Sequence, residues 1–177
     1  MTDLGSEPAG VMFRDYAATA REWVAREHVR HYTMVEGFDP SFGEAVRGAL
    51  DLIEAGREDP TGKSLIVEAA GTRRPVGCVF LMVEPPATGR LRLFYLDAAY
   101  RGRGIGKDML DAMIAHAAAT GLERIRLSTF DRHLAACRLY RSSGFTQSVG
   151  EPSVAFGQDL RQVDFKKDLA AAGRVDD

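Results

Sequence analysis

The residues best placed to do chemistry are Arg101-Gly-Arg-Gly-Ile-Gly106 and the Lys107 that follows. They stand between a strand, Leu91–Asp97, and a long helix whose apolar stripe is Ile105, Met109, Leu110, Met113, Ile114 and Ala117. A helix that opens on Gly-x-Gly leaves its first backbone N–H groups unpaired, and these, with the positive end of the helix dipole, favour an anion. Gly104 and Gly106 put no side chain between backbone and ligand, so a diphosphate could come within hydrogen-bonding distance. Arg101, Arg103 and Lys107 add positive charge at the same mouth. A plain tight turn with solvated cations would have the same composition. Two other phosphate motifs do not fit. A P-loop needs Gly-Lys-Ser/Thr, which is absent, and a dinucleotide fingerprint needs an acidic residue closing the next strand. That strand here, Arg124-Ile-Arg-Leu-Ser-Thr-Phe130, carries no carboxylate.

The elements that must hold the turn alternate along the chain. A short strand is expected over Val11–Tyr16, a helix over Ala17–Met34 broken at Gly37, and a second helix from Pro40 or Ser41 to about Gly56. In the first helix Trp23, Glu27, Arg30 and Met34, and also His28 and Tyr32, recur at near-helical steps. Strands over Lys63–Ala70 and Val76–Glu84 flank a Gly-Thr-Arg-Arg-Pro turn, and Pro85–Gly89 reads as a second turn before the strand at Leu91. A helix over Leu134–Ser143 and two strands, one from Phe145 and one within Leu160–Leu169, complete an α+β pattern with a mixed sheet.

With 177 residues, 27% charged and 45% apolar, the chain has the profile of one globular domain. A net charge of −2 without a basic run gives no reason to expect nucleic acid. No apolar stretch reaches membrane-span length and no signal peptide is apparent, so the expected location is the cytoplasm with no membrane contact. Cys78 and Cys137 lack metal-ligand spacing, which speaks against a disulfide or a metal site; Cys78 reads as core, and Cys137 as packing or, less readily, a nucleophile.

Arg-x-x-Gly-x-Gly at 101–106, followed about thirty residues on by Ala-x-x-Leu-Tyr-x-x-x-Gly-Phe at 136–145, resembles the GNAT superfamily of acyl-CoA-dependent N-acyltransferases. The resemblance runs from about Met12 to Leu169. It implies a GNAT-like, mostly antiparallel sheet with a splay between strands 4 and 5 and helices on both faces. One N-acetyltransferase domain would cover 11–169, with a flexible lead at 1–10 and a flexible tail at 170–177. The implied acyl donor is acetyl-CoA, its pantetheine arm paired to the strand edge at Phe94, Leu96 and Ala98. Its pyrophosphate would rest on the backbone of Arg101, Gly102, Arg103, Gly104, Ile105, Gly106 and Lys107.

The implied reaction is direct transfer to an amine. A backbone N–H near Leu96 would stabilise the oxyanion, and Tyr140 would donate a proton to the departing thiolate, although its ring could instead only pack on the pantetheine arm. The base is open. The glutamate used in the histone-modifying branch falls at Arg90 here, leaving Glu84, Asp97, His133 or solvent; His133 replaces an asparagine common in the family. No metal is implied.

The acceptor should be met by the first helices and the loop before the last strands, where Trp23, His28, His31, Tyr32, Phe38, Phe156 and Asp159 occur. These stretches are similar to acetyltransferase domains fused to MarR-type regulators, although no regulator is expected before Met12, and they imply a small amine or amino-acid-like acceptor. A non-catalytic acyl-CoA sensor or assembly module, and acylation of a protein N-terminus or lysine, are the alternative readings. Exposed edge strands are compatible with a homodimer.

Overall fold

A computed structural model describes residues 10–170. Apart from Gly10 and Ala170, the expected lead and tail lie outside the described residues. The strands are β1 (Val11–Asp15), β2 (Lys63–Ala69), β3 (Pro75–Glu84), β4 (Thr88–Leu96), β5 (Arg124–Phe130), β6 (Thr146–Ala155) and β7 (Gln158–Asp168). The helices are α1 (Arg21–Met34), entered through a 3-10 turn, α2 (Ser41–Ala55), α3 (Ile105–Ala119) and α4 (Leu134–Ser142). One sheet runs β1-β2-β3-β4-β5-β7-β6. Its only parallel neighbours among the described strands are β4 and β5, joined by the crossover through α3.

That parallel pair is short, which makes the site. β4 meets β5 only where Thr88–Arg90 face Arg124–Arg126, and beyond Arg90 the two strands separate. The divergence has a local cause in β4. Its register with β3 passes from Arg92 opposite Phe80 to Tyr95 opposite Cys78, so Leu93 and Phe94 together face Val79. This is a β-bulge, with Leu93 at φ +50°, and a bulge bends its strand. Helices cover both faces. Met109, Leu110, Met113 and Ala117 of α3 are fully buried against one, together with Cys137 and Tyr140 of α4. Val24, Ala25, Val46, Leu50 and Ile53 of α1 and α2 pack against Ile66, Cys78 and Phe80 on the other.

One local expectation needs correction, and one left open is decided. β4 begins at Thr88, not Leu91, because Gly89 is a packing glycine inside the strand: a Cβ there would lie 2.6 Å from Leu81 Cδ1 and 3.1 Å from Leu122 Cδ1. The buried face of α1 is Val24, Ala25 and His28, whereas Met34 is 78% exposed, since the sheet lies on the His28 side of the helix. The stripe of α3 is as expected, with Ile114 only partly buried.

Among the described residues no helix is long and apolar enough to cross a membrane, and no group of three or more His, Cys, Asp or Glu side chains could hold a metal ion.

Candidate active site

The turn into α3 leaves its amides open. Gly104 caps the helix in the left-handed region at φ +81°, no side chain caps the first turn, and no atom lies within 4 Å of where a Cβ at Gly102 or Gly104 would stand. Backbone N–H groups therefore face outward at the positive end of a fifteen-residue helix. Each of the three cations has a contact within the fold. Arg101 donates from Nε to the Leu96 carbonyl at 2.8 Å. Arg103 lies over the Tyr100 ring at 5.9 Å, and Lys107 is paired with Asp111. The open backbone amides are therefore the groups at this turn with no partner among the described residues, and of the three cations Lys107 is the one held in an ion pair.

A cavity of about 890 Å³ opens where β4 and β5 part. Of the residues singled out from the sequence it brings together Phe94, Leu96, Tyr140 and His133 with Arg101, Gly102, Gly104, Gly106 and Lys107. Ala98, Arg103 and Ile105 do not line it: Ala98 is exposed in a 3-10 turn and Ile105 is 7% exposed in the core. Backbone direction supports the role expected of β4. Asp97 N–H bonds to Val76 of β3, so by strand alternation the Leu96 N–H points the other way, into the opening.

Tyr140 comes from α4, whose apolar side seats it between Phe94, Phe145 and Phe165 at ring separations of 6.4, 5.9 and 5.2 Å. Burial pushes its phenol well above the ordinary value, so it stays protonated at neutral pH. Phe145 is core, as expected. Cys137 is 4% exposed, does not line the cavity, and has its thiol pushed up by burial, so nothing activates it as a nucleophile.

The candidate bases separate clearly. Glu84 is not brought to the cavity. It accepts from Arg126 at 2.6 Å and lies 3.8 Å from Arg90, and the Arg126 hydrogen bond holds its carboxyl below the usual range. Asp97 caps the turn at Ala99 and pairs with Arg74, also outside the cavity. His133 does line it, but both ring nitrogens are engaged: Nε2 is 2.8 Å from Glu36 Oε2 and Nδ1 is 2.9 Å from Thr129 Oγ1. Glu36, which sequence reasoning missed, is 13% exposed and also lies 3.8 Å from His31 and from Arg132. It follows α1 directly, and only the fold brings it to His133 across 97 residues. Burial, then the Arg101 charge, push His31 below its ordinary value.

Of the aromatic and histidine residues expected near the acceptor, His28, His31 and Tyr32 line the cavity and Phe42 joins them, while Phe38 is buried beneath, stacked on Phe156 at 5.3 Å. His28 donates Nδ1–H to the Val24 carbonyl at 2.8 Å, and its buried Nε2 has no partner among the described residues. Burial pushes it from 6.5 down to about 4. Between those values the unfolded chain binds a proton that the fold excludes. Stability is therefore full above about pH 6.5 and falls as pH drops towards 4, by roughly 3 kcal/mol in all. His28→Gln should flatten that part of a midpoint-against-pH profile; parallel profiles would assign the acid sensitivity elsewhere.

Comparison with known proteins agrees with this geometry. Residues 19–145 match the model of the acetyltransferase (GNAT) family, and the chain belongs to it. It is 43% identical over 65 residues to the spermine/spermidine N(1)-acetyltransferase of Bacillus subtilis strain 168, covering 35% of this chain and 43% of that protein. It is 31% identical over 100 residues to the mycothiol acetyltransferase of Gordonia bronchialis, covering 56% of this chain and 32% of that one. The chain thus spans less than half the length of these curated relatives. Among solved structures, yncA of Salmonella typhimurium, determined with its cofactor acetyl-CoA, superposes with a TM-score of 0.74 at 18% identity, covering 95% of this chain and 99% of that one.

Proposed function

We propose that the protein is an acetyl-CoA-dependent N-acetyltransferase acting on a primary amine of a small molecule. The observation that carries this is the meeting, in one cavity, of the open amides before α3, the unpaired edge of β4 and the Tyr140 phenol. The cavity fits the donor: its diphosphate needs N–H groups at a helix mouth, its pantetheine amides need a free strand edge, and both are present. Arg101 must release the Leu96 carbonyl if the pantetheine arm is to pair there. Family membership, and relatives named for spermine/spermidine and mycothiol, support the reaction class and a small acceptor.

In this reading the amine attacks the thioester carbonyl, whose growing negative charge is met by the Leu96 N–H. The thiolate leaves with a proton from Tyr140. A thiol of ordinary pKa about 8.5 is the stronger acid of the two, so the phenol donates uphill and acts mainly by hydrogen-bonding the charge as it forms. With both nitrogens of His133 occupied, the amine proton goes to the Glu36 carboxylate, which His133 orients. Glu36→Gln should lower kcat about 100-fold while leaving acetyl-CoA affinity unchanged, and His133→Asn should cost less. Unchanged turnover in Glu36→Gln would move the proton to solvent.

The direct test is CoA-thiol release from acetyl-CoA against a panel of amines, beside calorimetric titration of acetyl-CoA alone. Turnover with any amine class supports the reading. Tight binding with no turnover across the panel would replace it with an acyl-CoA-binding module.

A further inference from the structure

β4 carries Arg92 into the cavity, beside a row of cations that the fold neutralises only in part. Arg92 stands on β4 opposite Phe80, and Arg90 opposite Met82, both on the face shared with α1 and α2. Arg126 of β5 lies beside Arg90 in the parallel register, and Lys166 of β7 beside Arg126. Glu84 serves Arg126 and Arg90, which leaves Arg92 without an ion pair among the described residues. The Nε atoms of both Arg90 and Arg92 are buried and have no hydrogen-bond partner among those residues. A buried guanidinium donor left unmade is costly, so an arrangement that keeps two is a site awaiting an acceptor of hydrogen bonds. Burial, then the Arg90 charge, push Arg92 below its ordinary value, the shift expected of a cation lacking its anion.

Position makes this an acceptor subsite. Arg92 lines the main cavity, and Leu127 and Ser128 line both that cavity and a polar hollow of about 500 Å³ between Arg90, Arg126 and Lys166. Arg92 precedes Leu96 by four residues, about 13 Å of extended strand at most, and its own side chain spans part of that distance. Glu36, His31 and His133 line the same cavity. An amine held near Glu36 and the thioester therefore shares its cavity with the Arg92 guanidinium.

On the reading that the protein acetylates a small amine, we infer that its acceptor carries an anionic group, a carboxylate or a phosphate, bound by Arg92 with Arg90 and Arg126 beside it. A polyamine would bring its second cationic centre to the unpaired Arg92 guanidinium. A planar guanidinium fork pairs two oxygens of either anion, so the chemistry is shared and the source is a matter for the assay.

The test uses the full chain with acetyl-CoA and three panels: amino acids each beside its primary amide, aminoalkyl phosphates, and spermidine with spermine. Expected is turnover of an anionic amine with kcat/KM at least about 10-fold above its uncharged amide and above both polyamines. Arg92→Gln should raise KM for that acceptor about 10- to 100-fold, with kcat and acetyl-CoA affinity kept, while the amide is scarcely affected. Arg92→Lys should recover part of the loss. Carboxylate against phosphate preference names the source. The proposal is overturned if a polyamine or the uncharged amide is the best acceptor, or if Arg92→Gln weakens all panels equally. If no amine of any panel is turned over, the acetyltransferase reading fails, and calorimetric titration of the same amino acids and aminoalkyl phosphates into the CoA complex decides the subsite. Saturable binding lost in Arg92→Gln upholds it, and no binding refutes it.

Discussion

Gly104→Glu should abolish acetyl-CoA binding, lowering affinity by about 100-fold or more. Two losses combine. A carboxylate replaces open space at the mouth of α3, where nothing stands within 4 Å of the Gly104 Cβ position, and it repels the diphosphate. It also takes for itself the N–H groups that would have held the phosphates, and each hydrogen bond to a charged group contributes about 1.5–3 kcal/mol. The fold should survive, because the added side chain meets no neighbour and the φ of +81° costs a non-glycine residue roughly 1–2 kcal/mol. Gly104→Ala carries the same backbone strain without the charge and should keep most of the affinity. Calorimetric titration of acetyl-CoA into both variants, with thermal unfolding as the control, reads the difference. Equal affinity in wild type and Gly104→Glu would remove the helix mouth from the donor site.

Tyr140→Phe is expected to lower kcat by about 100-fold while acetyl-CoA affinity stays within a factor of two or so. The substitution deletes only the phenolic oxygen. The ring contacts with Phe94, Phe145 and Phe165 are kept, so positioning of the pantetheine arm by packing is unchanged. The two readings of this residue therefore diverge: a packing residue loses nothing with phenylalanine, and a proton donor loses most of its effect. Because burial raises the phenol, wild-type turnover should show no loss from tyrosine ionisation up to about pH 10, and an earlier falling limb would belong to another group. Undiminished kcat in Tyr140→Phe would give the proton to water.

Residues close together in the chain were the ones whose placement could be read in advance. The run from Arg101 to Lys107 is its own structure: a glycine at the cap and a helix of regular stripe suffice to expose the amides, whatever packs behind. Tyr140 was recognisable because Ala-x-x-Leu-Tyr-x-x-x-Gly-Phe at 136–145 resembles the family pattern, and the structure gives Gly144 a φ of +85° and makes Phe145 core. The element order also followed from local periodicity. One local misreading and one open choice arose where one composition serves two purposes. Gly89 looks like a turn residue but is small because Leu81 and Leu122 press on it, and the His28 face of α1 was not distinguished from the Trp23–Met34 face, since both recur at helical steps.

What the amino-acid order alone determined is the glycine turn with its open amides and the helix behind it, on which the proposed donor half rests, because both are built from neighbours in sequence. The acceptor half was decided only by tertiary structure. Glu36 meets His133 across 97 residues, Glu84 is drawn away to Arg126 and Arg90, and Arg92 is left unpaired only because that carboxylate is already taken. Nothing in the local sequence distinguishes a glutamate after a helix from any solvated one, or an arginine in a strand from a surface cation. Burial and the choice among competing partners set what such groups can do, and both are products of contacts between elements distant in the chain.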